Sequence, residues 1–193
     1  MAKIGIKCLT YAPYTSGGDG SAISYGTGTM LNDYMIRADV GEERVDVDFY
    51  ADDHKIDTEN SMTGATLALE LANMTDALEK AFLGYVSEST ASGADLLVTD
   101  AAAPFVGCGF YRKERFKGTI TWKCYWFYKI QFNRDSDSTT TKGENLDFQT
   151  ESVNGDALGV QLTNGGAVIY YAICRKDSEA NAIAWLKTKS GIS

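Results

Sequence analysis

The chain has 193 residues, of which 44% are hydrophobic, 11% are aromatic and only 2 are proline. This composition excludes a disordered chain and predicts a single globular domain over residues 1–193, rich in strands and turns. The formal charge of −8 argues against a protein that binds nucleic acid by neutralising phosphates, because such proteins cluster Lys and Arg.

The first half of the chain predicts two strands joined by a polar loop. Gly17 to Gly28 has only a fragment of a dinucleotide-binding pattern and is predicted to be a loop with a turn. The alternation in Arg44–Phe49 predicts a strand, and Thr63–Leu71 predicts a second one. The loop between them is predicted at Asp52 to Ser61. In the first strand the apolar residues predicted to face the core are Val45, Val47 and Phe49, with Arg44, Asp46 and Asp48 opposite.

A short helix and a long loop are predicted next. Thr75 is the expected N-cap, Leu78, Phe82 and Tyr85 have helical spacing, and Gly84 is the expected stop. Ser87–Ala103 is small and polar, so it is predicted to be a loop with one short strand at Leu96–Val98.

The second half predicts a strand hairpin, two further strands and a terminal helix. Lys117-Gly118 is the predicted turn of the hairpin, because glycine tolerates positive φ. Asp135–Lys142 is predicted to be an exposed loop, and Ser178 is the expected cap of the last helix. The predicted elements are strands Phe105–Phe116, Thr119–Phe132, Glu144–Val153 and Ala167–Cys174, and helix Glu179–Lys189 with the buried stripe Ala182, Ile183, Trp185 and Leu186.

Together these patterns predict a mainly β fold. We expect a β-sandwich or partial barrel of two antiparallel sheets, with a short mid-chain helix and a C-terminal helix. Lys and Arg gather between Arg112 and Lys129, but they alternate with aromatic residues. This favours a solvated strand face, and a sheet that stacks nucleic-acid bases on its aromatic residues is the alternative.

The cysteines give no sign of a metal or redox motif. Cys8, Cys108, Cys124 and Cys174 are far apart and lack a C-x-x-C spacing. They are predicted to be small buried hydrophobes, although an even number leaves open a secreted protein with two disulfides. The opening MAKIGIKCLTYAPY lacks the apolar core of a signal peptide, which favours a reducing cytoplasm. No apolar run approaches the roughly 18 residues of a membrane span, so a soluble protein without a membrane partner is expected.

The most conspicuous candidate for chemistry is the pair Asp52-Asp53 beside His54, the single histidine of the chain. Asp57 and Glu59 follow, but the calcium-loop spacing and nearby phosphate-binding cations are missing. Zinc needs three or four ligands, and the one histidine has no nucleophile motif around it. The sequence therefore predicts no catalytic, cofactor-binding or metal residue, and not an enzyme.

An acidic strand face suggests a different role. The residues expected opposite the core include Asp46, Asp48, Glu70 and Asp147. If several copies closed their sheets into a ring, that face would line a channel, while the loops at 52–61 and 135–142 would reach neighbouring copies. A merely solvated strand face is the alternative.

Landmarks along almost the whole chain resemble the major tail proteins of long-tailed phages, in particular the phi13-type family of siphophage tail tube proteins. In chain order they are MAKIGIKCLTYAPY at 1–14; FYADD at 49–53, followed by Asn60-Ser61 and Gly64-x-x-Leu67-x-Leu69; FLG at 82–84; APFVGCGFYR at 103–112; KIQF at 129–132; TKGE at 141–144 before LDFQT at 146–150; and EANAIAWLK at 179–187.

This resemblance implies a tail tube fold of two packed antiparallel sheets with a flanking helix. It implies a structural virion protein, assembled in the bacterial cytoplasm, whose hexameric rings join their inner sheets into a barrel and stack into a tube. DNA would pass through the lumen without specific binding, and the other partners would be the tape measure, tail terminator and distal tail proteins. No cofactor is implied.

The resemblance also assigns roles to residues. Asp46, Asp48, Glu70 and Asp147 are expected to face the lumen, where carboxylates would keep DNA from sticking. The segment 52–61 resembles the arm that contacts the adjacent ring; its charged residues are Asp52, Asp53, His54, Lys55, Asp57 and Glu59. The N-terminal segment and the 135–142 loop are further candidates for contacts between subunits. The alternatives are a carbohydrate- or protein-binding β-sandwich and the inner tube protein of a contractile injection system.

Overall fold

The computed structural model describes residues 2–51, 54–90, 93–134 and 150–192. In this part of the chain the strands are β1 Ala2–Ser16, β2 Ser24–Tyr25, β3 Thr29–Leu31, β4 Met35–Ala51, β5 His54–Leu71, β6 Val86–Thr90, β7 Gly93–Leu97, β8 Phe105–Phe116, β9 Thr119–Asn133, β10 Glu151–Ala157 and β11 Tyr171–Lys176. The helices are α1 Asp76–Leu83 and α2 Glu179–Ser190.

The named strands pair antiparallel throughout. The main sheet has the order β2-β1-β8-β9-β10-β5-β4, with β11 also on β9 and β3 also on β1. A separate hairpin is formed by β6 and β7. The sheet curls so that β1 and β4 approach each other, leaving a groove of about 600 Å³ between them. The predicted mainly β fold with a mid-chain helix and a C-terminal helix is confirmed at this level.

The inner side of the curl holds one hydrophobic core. Leu67, Leu69 and Leu71 of β5 face it and are 2% exposed or less, as their alternation predicts. Helix α1 closes this core with Phe82, whose ring stacks on Phe132 at a centroid distance of 4.3 Å. A second ring contact, edge to face with Tyr11 at 5.3 Å, fixes the helix on β1.

The other side of the sheet carries a second core beneath α2. Trp126 is fully buried there, and its Nε1 donates to the Tyr25 hydroxyl at 3.2 Å. Gly109 makes room for the indole, since a Cβ at that position would lie 2.5 Å from Trp126 Cε3. Leu186 and Ala182 of α2 complete this core. Of the predicted stripe, Ile183 and Trp185 are only partly buried.

Local signals for helix ends and turns are largely confirmed. The Ser178 hydroxyl accepts a hydrogen bond from Asn181 N at 3.2 Å, as an N-cap should. Thr75 occupies the N-cap of α1 without such a bond. Gly84 ends α1 with φ of 76°. The β8–β9 turn has φ of 46° at Lys117 and 87° at Gly118, the positive values of a tight hairpin turn.

Several predicted element boundaries are wrong. Residues 86–90 and 93–97 form two paired strands, β6 and β7, in place of a loop with one short strand. Strand β10 continues to Ala157, past its predicted end at Val153, and β11 begins at Tyr171, later than predicted. The predicted loop at 135–142 and the first part of the predicted strand, 144–149, lie outside the described residues. Three of the cysteines are buried as predicted, whereas Cys174 is partly exposed, and all four are free thiols.

Candidate functional site

The longest strand pair among the described residues extends beyond its own core. β4 and β5 stay paired from Met35↔Leu71 to Ala51↔His54. We call residues 43–51 and 54–62 the arm. Its described side chains are exposed, apart from a half-buried Met62. The predicted loop at 52–61 is therefore wrong for residues 54–61, which form a strand, while Asp52 and Asp53 lie outside the described residues.

Cross-strand polar contacts hold the two strands of the arm together. Asn60 donates to Asp46, and the Arg44 guanidinium donates to Asn60 Oδ1 at 2.8 Å. Asp48 accepts from the Thr58 hydroxyl at 3.0 Å and pairs with Lys55 Nζ at 2.5 Å. These exposed contacts are individually weak, but they lie along one face and support an extended ribbon without a core beneath it.

The two faces of the arm are assigned by the strand register. Ala38 and Val40 pack on the inner core, so alternation along β4 places Asp46 and Asp48 on the continuation of that side. The apolar residues Val45, Val47 and Phe49 lie on the other side and are 47%, 57% and 63% exposed. Their predicted burial is wrong, because β4 extends past the body and nothing in the described chain covers them.

A second surface lies on the body, on the side of β9, β10, β5 and β4 that faces away from the inner core. We call it the polar face. Register brings together Glu70 with Arg37, Ala68 with Asp39, and Asp156 with both Thr66 and Gln131. The polar side chains that share this face are Arg37, Asp39, Glu43, Thr66, Glu70, Gln131, Asn133, Ser152, Asn154 and Asp156.

The polar face is acidic overall. It holds four carboxylates and one guanidinium, with the Lys129 ammonium at its edge over the Phe105 ring, and Arg37 Nε pairs with Asp39 Oδ2 at 2.7 Å. Glu70 Oε1 accepts from the Thr150 hydroxyl at 2.7 Å. A surface with net negative charge and small hydroxyl and amide groups attracts few phosphates.

The structure separates the acidic residues that the sequence placed on one face. Glu70 lies on the polar face, whereas Asp46 and Asp48 lie on the opposite side of the β4–β5 ribbon. The prediction that these three residues share one face is therefore wrong, and Asp147 lies outside the described residues. The carboxylates that were missed are Asp39, Glu43 and Asp156. Asp39 and Glu43 could have been predicted from the sequence, because Asp39, Gly41 and Glu43 alternate with Val40 along one strand.

A third surface is the outer half of the β8–β9 hairpin, which we call the basic hairpin. Its exposed tip includes Lys117 and the 51% exposed Phe116. Arg112 is paired with the buried Glu114 at 2.7 Å. The cations of the basic hairpin are Arg112, Lys113, Arg115, Lys117 and Lys123.

The basic hairpin and the arm point the same way. β5 and β9 are both antiparallel to β10 and therefore run parallel to each other. Their first residues, His54 and Thr119, thus lie toward one end of the sheet. An acidic and a basic projection are consequently presented side by side.

The groove between β1 and β4 is a concave surface that a ligand could enter. Tyr125 and Tyr171 line it, but their rings stack on Phe110 and Phe127, both at 5.1 Å. The Tyr171 hydroxyl donates to Glu42 Oε1 at 2.5 Å. Burial, together with this bond, raises the pKa of Tyr171 to about 12, and the same bond lowers the pKa of Glu42. One face of each ring is therefore covered by a phenylalanine, and Tyr125 is buried as a whole.

The segment around His54, which was the most conspicuous sequence candidate for a metal or catalytic site, belongs to the arm. His54 is exposed at the start of β5, opposite Ala51. Lys55 and Glu59 belong to the arm, and for Asp57 only the backbone is described, paired with Phe49. Within residues 2–51, 54–90, 93–134 and 150–192 no group of three or more His, Cys, Asp or Glu could hold a metal ion.

Across the same ranges no helix has the length and apolarity required to cross a membrane. No protein-family model matches the chain, and no curated protein matches it.

Proposed function

We propose that the protein is a structural subunit of a phage tail tube: copies close into hexameric rings, and the rings stack into a tube through which DNA is delivered to the host. The observation that carries this proposal is the arm, an exposed ribbon with an apolar row on one side. Such a row on a solitary chain is unfavourable in water and favours burial against another copy. The family resemblance supplies the tail tube fold and the hexamer.

The lumen is assigned to the polar face. Four neighbouring strands present carboxylates, hydroxyls and amides there, and they turn their apolar side chains toward the inner core. A wall with few cations lets DNA slide past with little phosphate contact. Glu70 keeps its predicted lumen position, Asp39, Glu43 and Asp156 join it, and Asp46 and Asp48 move to the contacts between copies.

The arm is assigned to contacts with the adjacent ring. His54, Lys55, Asp57 and Glu59 lie toward its far end, where Ala51 pairs with His54. Apolar side chains along the arm supply affinity, and its charges supply register. A head-to-tail contact of this kind closes into a ring or propagates into a filament, as a tube requires.

Neighbours within one ring are assigned to the side-by-side pairing of an arm with a basic hairpin. The two projections extend from the same end, so rotation about a ring axis brings the arm of one copy next to the basic hairpin of the next. Opposite charges favour this arrangement, and arm beside arm is disfavoured by like charges. The closed ring also covers the free edge of β4.

The remaining assignments follow from this function. The protein acts in the virion tail after assembly in the bacterial cytoplasm, without a cofactor and not as an enzyme. Its other partners are the tape measure, tail terminator and distal tail proteins. The inner tube of a contractile system is the nearest variant, because it uses the same architecture. A carbohydrate- or protein-binding sandwich is the alternative from another class.

Electron microscopy of the purified protein over a range of concentrations tests the proposal. We expect rings with an open channel and tubes of stacked rings at high concentration. A monodisperse monomer at every concentration contradicts the proposal and favours a binding module. A sheath gene beside this one would assign the tube to a contractile system.

A further inference from the structure

Two cysteines that are fifty residues apart in the sequence face each other across two strands. Cys124 of β9 and Cys174 of β11 are directly paired. Tyr128 N donates to Tyr170 O at 3.2 Å in the same ladder, and hydrogen-bonded pairs recur at every second position. Cys124 and Cys174 are therefore a hydrogen-bonded pair, whose Cα atoms lie about 5.5 Å apart. Disulfides span Cα separations of about 4.4–6.8 Å.

The other two cysteines are placed where they cannot compete. Cys8 lies on β1, and β8 separates it from β9, so two strand spacings of about 4.8 Å put it beyond disulfide reach of Cys124. Cys108 belongs to the inner core, whereas Cys124 and Cys174 belong to the core under α2. Of the possible pairings among the four thiols, the fold places only Cys124 and Cys174 within disulfide reach of each other.

The pair is reachable from solvent through Cys174. That residue is partly exposed, and β11 pairs with β9 alone among the described strands. Cys124 is fully buried, and burial raises the pKa of its thiol to about 12. The two thiols donate to backbone carbonyls, Cys124 Sγ to Trp122 O and Cys174 Sγ to Arg175 O, both at 3.8 Å. Each thiol is thus held near the ladder, with Cys174 as the outer one.

We propose that Cys124 and Cys174 form an oxidation site that exchanges with a small disulfide, such as oxidised glutathione, to give a reversible cross-strand disulfide. The Cys174 thiolate attacks the small disulfide and displaces one glutathione thiolate, which leaves a mixed disulfide. Cys124 then loses its proton to solvent, a step that its burial disfavours, and its thiolate attacks Cys174 Sγ and displaces the second glutathione. Two protein thiols lose two protons and two electrons, and oxidised glutathione is reduced to two glutathiones.

The position of the pair makes the bond reversible. Side chains at a hydrogen-bonded pair stand farther apart than the roughly 3.8 Å between Cβ atoms in a disulfide, so β11 must shift toward β9. Cys174 is two residues from the end of a short strand on one side of β9, where such a shift is cheap. A bond formed this way is more easily reduced than an unstrained structural disulfide. It ties β11, and α2 that follows it, to the centre of the sheet.

Thiol counting on the full chain tests the site, and it does so independently of any tube assembly. The protein is incubated with oxidised glutathione at about pH 8, close to the pKa of an ordinary cysteine thiol, for long enough that the buried Cys124 can react, then alkylated and digested. We expect two of the four thiols to disappear, one crosslinked peptide pair to contain Cys124 and Cys174, the melting temperature to rise by several degrees, and dithiothreitol to reverse these changes. Four persistent thiols, or a bond that includes Cys8 or Cys108, overturns the proposal.

Two serine variants sharpen the test. Cys124→Ser should accumulate a single glutathione on Cys174 without forming the crosslink, because the resolving thiol is gone. Cys108→Ser is the matched control, since it removes an equally buried thiol from the other core and should leave the crosslink intact. Loss of the crosslink in a folded Cys108→Ser protein contradicts the assignment, and if that variant does not fold, the peptide map of the unmodified chain decides.

Discussion

Replacing Val47 and Phe49 with serine should abolish assembly while leaving the subunit folded. The two side chains are 57% and 63% exposed on the apolar side of the arm. Full burial of such a side chain is worth about 1.5–3 kcal/mol, so the exposed fractions leave roughly 1–2 kcal/mol for each residue in a contact between copies. Losing both removes about 2–4 kcal/mol per contact, which weakens association roughly 30- to 700-fold.

The isolated subunit should hardly respond, because exposed positions change the free energy of unfolding by only about 0.5 kcal/mol. Sedimentation velocity over a concentration series measures assembly, and calorimetry on the dilute subunit measures stability. Val86→Ser with Val98→Ser is the matched control, since those valines are 51% and 73% exposed but lie outside the arm. We expect the control to assemble like the unmodified protein.

Two outcomes would refute this reasoning. Assembly of the arm variant at the concentration needed by the unmodified protein would mean that the apolar row of the arm is not buried between copies. An equal loss of assembly in the control would mean that general surface hydrophobicity, and not the arm, drives association.

Three further predictions address the lumen, the charges and the core. Asp156→Lys on the polar face should leave tubes intact but slow genome ejection by adding phosphate contacts. The control Glu88→Lys on the β6–β7 hairpin should not slow ejection. Equal ejection kinetics in the two variants would argue against the lumen assignment. Raising NaCl from about 0.05 to 0.5 M should weaken ring formation, measured by light scattering, because salt screens the opposite charges. Lys117→Glu should reduce both ring formation and its salt dependence. Ring formation that does not change with salt would contradict the charge pairing. Phe82→Ala removes a fully buried ring stacked on Phe132 and should cost about 3–5 kcal/mol, which lowers the melting temperature by roughly 6–20 °C in calorimetry; a smaller change would mean that α1 contributes little to the core.

Local physics was enough to predict much of the fold. Positive φ at Gly84 and at the Lys117-Gly118 turn, and the capping hydroxyl of Ser178, act within a few residues and can be recognised in the sequence. The row Leu67, Leu69 and Leu71 is likewise buried where its period predicts. The prediction that Arg112 to Lys129 forms a solvated strand face is only partly met, since Tyr125 and Tyr128 are buried there.

Sequence patterns fail to predict the role of a strand face when that role depends on what packs against the face. Val45, Val47 and Phe49 alternate just as a core strand does, yet they are exposed, because burial depends on whether the body extends far enough to cover them. The polar face gathers side chains from four strands, and the thiols of Cys124 and Cys174 meet across two. Alternation determined by itself which residues share a side of each strand, and only strand pairing and the extent of the core decided which side meets protein, solvent or another copy.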